Sequence, residues 1–357
     1  MTGIAGMLGL QDTDNIFLNT IGQRAVYEVA QQYVNQINME TEKAFQVFVE
    51  GDIEDYKERY KLPGGGRLDR RGGQTQSSAA KASGYWDVAY PLEDFGKQIA
   101  IDDVAAAYMT VPEFQRHLDT VQVQNVNTVR FEMLKALLNN TSRTFSDPLK
   151  GDLTIQSLAN GDGTLYPTVL GSETEADDTH HLGANYLASA ISDTNNPLAT
   201  IRDELEEHFG ASTGGEEIVV FMNNAQTAKV KALSDFDEVI DRDIREGSAV
   251  NVPVNLPNVP GRIIGRGSGV WAVEWRWIPA NYMFGMHLGA PAPLKRRVDP
   301  AATGLPRGLN IVARETHYPL EAIHYRNRFG MGVGNRLNGV GLYFVASTSY
   351  TIPTAYA

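Results

Sequence analysis

The densest run of ligand-type side chains is Asp177-Asp178-Thr179-His180-His181. Imidazole and carboxylate together suit a divalent metal, which needs three or four donors converging on one point. No third ligand follows at a typical spacing, so the run reads as the exposed polar start of a helix. His317 and His324 lie among Arg314, Arg326 and Arg328. Their separation is odd, which in a continuous strand places them on opposite faces and argues against a joint site. Gly265-Arg266-Gly267-Ser268-Gly269 has the texture of a phosphate loop. It lacks the Lys-Ser/Thr ending and the strand–loop–helix setting, and a turn is expected instead. Gly330, Gly332 and Gly334 alternate within strand-like sequence, where glycine marks a bend or a close backbone approach. Glu206-Glu207 stands on a charged helix and reads as a solvated face rather than an acid–base pair.

The wider search for reactive groups is empty. There is no G-x-S-x-G elbow, no H-E-x-x-H and no kinase signature. The sequence contains no cysteine, which removes disulfides, zinc–thiolate sites, iron–sulfur clusters and a Cys nucleophile together. No catalytic, cofactor-binding or metal-binding residue is assigned, and no cofactor is expected.

Charge is the remaining signal. One basic cluster holds Lys57, Arg59, Lys61, Arg67, Arg70 and Arg71. A second holds Lys295, Arg296, Arg297, Arg307, Arg314, Arg326 and Arg328. The acidic counterpart is Asp203, Glu204, Glu206, Glu207, Glu216 and Glu217. Charges separated this way suit basic-on-acidic pairing between copies of one chain, the other reading being plain surface charge. Lys57, Arg59, Arg67, Arg70, Arg71, Trp86, Glu206 and Glu207 are the candidates for inter-subunit contact. The net charge of −12 makes a poor wrapper of nucleic acid, because phosphate binding needs clustered cations. It would still suit the wall of a space that holds DNA. The N-terminal MTGIAGMLGLQDTD has no basic n-region and no long apolar core, so no signal peptide is expected. No stretch approaches a membrane span of roughly 20 apolar residues.

Several elements could position these groups. Ile16, Phe17, Ile21, Val26, Val29, Tyr33, Val34 and Ile37 predict a helix within 13–50. Its apolar face packs either in its own domain or as an arm on a neighbour. Residues 57–98 pass through a Gly-, Ser- and charge-rich stretch that cannot build a core, then YWDVAY, whose Trp86, Val88 and Tyr90 share a strand face. An extended two-stranded loop is expected there. Thr110-Val111-Pro112-Glu113 is a capping box with Pro in the first turn. It opens a helix through Leu138, roughly 42 Å long at the helical rise. Its polar, β-branched middle (QVQNVNTV) is a place to bend, and Asn139-Asn140-Thr141 ends it. Asn196-Pro197 caps a helix through Phe209 closed by Gly210. Glu217–Met222 predicts a buried strand, Ala225–Leu233 a helix, and 247–262 a surface loop. Val270–Ile278, Tyr282–Leu288, Leu309–Thr316, Ala322–Val333 and Val340–Tyr350 predict strands. There is no internal repeat and no heptad run.

In this order the elements resemble the Hong Kong 97-type fold of tailed-phage major capsid proteins, down to the closing HYRNRFGMGVGNRLNGVGLYFV. The resemblance implies an α+β chain with an N-terminal arm over 1–54, an extended loop over 55–100, and a peripheral domain over 101–190 with a spine helix over 110–140. An axial domain over 191–310 and closing strands of the peripheral domain over 311–357 would follow. It implies a structural protein, not an enzyme, that self-assembles into hexamers and pentamers of an icosahedral shell around double-stranded DNA. The partners would be further copies of the chain, with possible separate scaffolding, portal and decoration proteins, DNA enclosed without sequence-specific binding, and no membrane. The location would be the virion capsid, after synthesis in the bacterial host cytoplasm. The loop begins so early that a cleaved scaffolding segment has little room, so that segment is expected to be absent already or a separate protein. No catalytic Glu matches, so the Lys–Asn crosslinking of some members is not carried over. An encapsulin-like compartment shell and an α+β enzyme with an unrecognised site are the alternative readings.

Overall fold

The computed structural model describes residues 32, 38, 45–61, 67–68, 84–102, 108–169, 171–209, 218–238, 259–315 and 320–357. Most of the expected arm, the tip of the loop with Arg70 and Arg71, Gly210, Glu216, Glu217, most of the 247–262 loop and His317 lie outside them. The described chain runs β1 (Val49–Ile53), β2 (Lys57–Lys61), β3 (Tyr85–Ala89), β4 (Glu93–Asp102) and helix α1 (Val111–Leu138). It continues with β5 (Arg143–Asp147), β6 (Gly151–Ile155), β7 (His181–Gly183), α2 (Pro197–Phe209), β8 (Ile218–Met222) and α3 (Asn224–Val230). Then follow β9 (Asp237–Glu238), β10 (Arg262–Gly267), β11 (Val270–Glu274), β12 (Tyr282–His287) and β13 (Leu294–Arg297). Last come β14 (Asn310–Glu315), β15 (Leu320–Val333) and β16 (Val340–Tyr343). Of the helix expected over 13–50, Val49 and Glu50 belong to β1 instead, and most of the remainder lies outside the described residues.

The chain divides into two compact units. The described core of the first comes from Glu93–Val129 and Gly304–Arg328. Helix α1 begins as its sequence dictates: the Thr110 backbone N–H donates to Glu113 Oε2 at 3.2 Å, so the glutamate closes the capping box. Phe114, Leu118 and Val121 then recur at helical spacing and bury against Ile99, Leu309 and Tyr325. The next position on that stripe is polar. Asn125 is buried and accepts a hydrogen bond from Asn327 Nδ2 at 2.7 Å, which pairs the two amides inside. The helix is continuous through this polar stretch.

The second unit comprises Lys43–Leu92, Arg130–Thr303 and Phe329–Ala357. Its main sheet has seven strands in the order β7-β16-β12-β8-β11-β10-β9. Every residue of β8 (IVVFM) is buried, so both faces of the sheet centre are covered. Leu198, Ile201 and Leu205 of α2 pack with Ile218, Val220, Met222 and Met283 in one apolar cluster. The aromatic rings of Phe48, Phe221 and Trp275 meet separately, Phe48 lying 4.9 Å from Phe221 and 5.6 Å from Trp275 between centroids. Trp275 therefore does not continue the strand expected over Val270–Ile278. The strand ends at Glu274 and Trp275 begins a turn that carries its ring into the aromatic group. Helix α2 is capped as expected, with Asn196 Oδ1 accepting from the Leu198 N–H at 3.0 Å.

Candidate inter-subunit surface

The loop reads out as a hairpin. Strands β2 and β3 pair antiparallel with Arg59 opposite Asp87 and Tyr60 opposite Trp86. Strand alternation sends the two sets of side chains to different places. On the inner face Trp86, Val88 and Tyr90 are buried, and Trp86 stacks on Tyr60 at 5.3 Å between ring centroids. Trp86 thus packs within its own chain. On the outer face Lys57 Nζ lies 2.9 Å from Asp87, and Arg59 grips the same carboxylate with Nε and Nη2 at 2.6 and 2.8 Å. The hydrogen bonds from Arg59, followed by those from Lys57, hold the Asp87 carboxyl well below its usual range against the opposing effect of burial. Two cations on one carboxylate leave the strip with a net positive charge. The Arg59 guanidinium also lies 4.2 Å from the centroid of the Tyr85 ring, which is largely exposed. Further along, Arg67 pairs with Glu173, and the Leu68 side chain is fully exposed.

Three cations of the second basic cluster pair within the chain. Lys295 Nζ reaches Glu58 at 3.0 Å, Arg296 binds Asp52 through Nε and Nη2 at 2.6 and 2.9 Å, and Arg297 Nη1 donates to Asp147 at 2.9 Å. The carboxylates of β1, β2 and β5 take these three cations within the chain. On α2, Glu206 stands 3.8 Å from Arg202, and Glu207 stands 3.7 Å from His208. The neighbouring glutamates therefore have different surroundings.

The histidine run is also corrected. His180 and His181 are buried and lead into β7, not into an exposed helix. His181 Nε2 donates to the Leu137 carbonyl at 3.1 Å and the Tyr350 hydroxyl to the Leu138 carbonyl at 2.8 Å, satisfying two terminal carbonyls of α1. His180 and His208 both direct Nε2 at Asp178 Oδ2, so a third ligand type does reach the run. It comes from the last turn of α2, too far along the chain for sequence spacing to find.

No protein-family model matches the chain, and no curated protein matches it. Among solved structures, a chain from Mycobacterium phage Patience matches with a TM-score of 0.68 and 19% identity, covering 99% of this chain and 98% of that one. A chain of the bacteriophage PhiM1 mature capsid matches with a TM-score of 0.51 and 9% identity, over 84% of this chain and 86% of that one. The chain has the fold of a tailed-phage major capsid protein. An encapsulin complex from Synechococcus elongatus gives a TM-score of 0.41 at 8% identity over 84% and 87% of the two chains, too loose a likeness to carry argument.

Within this capsid fold the glycine motifs hold structure. Of the run expected as a turn, Gly265, Arg266 and Gly267 end strand β10, and Ser268-Gly269 make the two-residue turn into β11, with φ 49° and 83° as a tight hairpin demands. Asp235 accepts from the Ser268 backbone N–H at 2.8 Å, so a carboxylate already takes this donor of the turn. Gly332 lies where a β-carbon would come within 2.7 Å of the Tyr90 ring, so the absent side chain is what lets β15 approach the inner end of the hairpin.

Proposed function

We propose that the chain is the major capsid protein of a tailed phage, assembling as hexamers and pentamers into an icosahedral shell around double-stranded DNA. The observation that carries this reading is the likeness to a chain of the PhiM1 mature capsid at a TM-score of 0.51, joined by the end-to-end likeness to a Mycobacterium phage Patience chain at 0.68. The hairpin supports it. Its outer face bears Lys57 and Arg59 with the largely exposed Tyr85 beside them, a cationic and aromatic surface suited to an acidic partner. Lys57, Arg59, Arg67, Arg70 and Arg71 would meet acidic side chains of adjacent copies, Glu206 among them. Each exposed pair contributes only about 0–1 kcal/mol, but a closed shell repeats every contact. In this reading Trp86 stiffens the hairpin from within. The role is structural rather than enzymatic, and the protein resides in the virion after synthesis in the host. Scaffolding, portal and decoration proteins would be its other partners.

The net charge of −12 then keeps packaged DNA from adhering to the wall. Sedimentation of the purified protein, with and without duplex DNA at physiological salt, tests the proposal. Large assemblies and no tight duplex binding are expected. A stable monomer at high concentration that binds duplex tightly would overturn it.

A further inference from the structure

The His180 ring sits in an electrostatic contradiction. It is 0% exposed, and its Nδ1 lies 3.0 Å from the Gly339 carbonyl oxygen. A carbonyl can only accept, so Nδ1 carries the proton. In the neutral ring Nε2 then holds a lone pair, and this lone pair faces Asp178 Oδ2 at 3.1 Å. Two acceptors at that distance require a cation between them, either a second proton or a metal ion. His208 brings its Nε2 to the same carboxylate oxygen, with a side chain only 3% exposed, and its ring centroid lies 5.2 Å from that of His180.

The surroundings favour the larger charge. Asp178, Glu204 and Glu207 place carboxylate oxygens within 4.8 Å of one another. Arg202 pairs with Asp203 at 2.6 Å and Arg336 with Asp162 at 2.8 Å. His208 also lies in the last turn of α2, the end of a helix dipole that favours a cation. A divalent ion beside Asp178 and Glu207 would offset both carboxylate charges.

We propose that Asp178, His180 and His208 form a binding site for a divalent transition-metal ion of the zinc class, with Glu207 as the fourth donor. Asp178 Oδ2, His180 Nε2 and His208 Nε2 converge as a nitrogen–oxygen triad of the kind zinc takes, and Glu207, whose Oε1 lies 3.7 Å from His208 Nε2, would turn in to complete the tetrad. Tetrahedral ligands at about 2.0–2.1 Å from the metal stand roughly 3.3 Å apart. The 3.1 Å between His180 and Asp178 is close to that spacing, while His208 and Asp178, which approach more closely, would move apart around the ion. The bond from His180 Nδ1 to the Gly339 carbonyl is the outer-shell partner that fixes the tautomer of a metal-bound imidazole. The ion would tie the segment before β7 to the end of α2. The site lies within one chain and stands whether or not copies assemble.

The full-length protein, stripped with a chelator, is titrated with zinc chloride by calorimetry and with cobalt(II) chloride by visible absorption. The expected results are one ion bound per chain and the intense d–d bands of four-coordinate cobalt. His208→Gln should weaken zinc binding by at least the roughly 10–100-fold that loss of an outer-shell partner brings. His117→Gln, on the exposed side of α1, should leave it unchanged. If His208→Gln fails to fold, Glu207→Gln takes its place, with the same direction of change. Absence of saturable one-to-one binding in the wild type would overturn the site and leave the imidazolium as the cation. So would a folded His208→Gln or Glu207→Gln protein that binds as tightly as the wild type.

Discussion

Arg297 and Asp147 have side chains 8% and 5% exposed and meet at 2.9 Å. Burial alone would raise the Asp147 carboxyl. The backbone N–H groups of Leu149 and Lys150 and the Arg297 guanidinium outweigh it and hold the carboxyl below its usual range. Removing one partner of such a pair strands the other charge, so Arg297→Leu should lose about 3–5 kcal/mol in chemical denaturation at pH 7. The sign with pH follows from the lowered folded value. In the wild type this contribution is present above the unfolded carboxylate pKa of about 3.9 and is lost as pH falls toward the folded one. In the variant nothing but the two N–H groups opposes burial, so acidification should remove less stability than in the wild type. A larger acid loss in Arg297→Leu would contradict this account. Such pairings were not legible in the sequence. Arg297 reads there as one cation of a basic cluster, and only the fold brings Asp147 to it. His180 was misread for the same reason, since its partners Gly339 and His208 arrive through tertiary structure.

At the scale of elements, local signals were legible wherever they concern the backbone. The capping box at Thr110 and Glu113 and the Asn196 cap set the starts of α1 and α2 because a helix leaves orphan N–H groups that nearby side chains must satisfy. Strand limits were harder. Trp271, Val273 and Trp275 alternate like one strand face, yet Trp275 leaves the ladder for the Phe48 ring, a contact between distant segments. The alternating glycines were read as a close backbone approach, and Gly332 is one. Gly332→Ala places a β-carbon 2.7 Å from the Tyr90 ring and 3.2 Å from the Ala89 carbonyl oxygen. Thermal unfolding should register a loss of about 1–3 kcal/mol, the range for overpacking a filled core. An unchanged melting temperature would mean that the hairpin base is looser than these contacts make it.

At the scale of the molecule, the order of elements was the legible feature, and it pointed to the capsid fold before any single residue did. The site was less legible, because surfaces that meet another copy carry no motif, only charge and unburied apolar area. The loop tests this. Deleting residues 64–82 removes Arg67, Leu68, Arg70 and Arg71 while leaving β2 and β3 intact. The deleted protein should keep its circular dichroism spectrum and fail to form stable particles in size-exclusion chromatography. Particles as stable as those of the wild type would remove the loop from the assembly. The most direct measurement of the central claim is an electron micrograph of the purified full-length protein. The account predicts uniform, closed, icosahedral particles built from hexamers and pentamers. A field of small separate molecules under every condition that keeps the protein folded would contradict it.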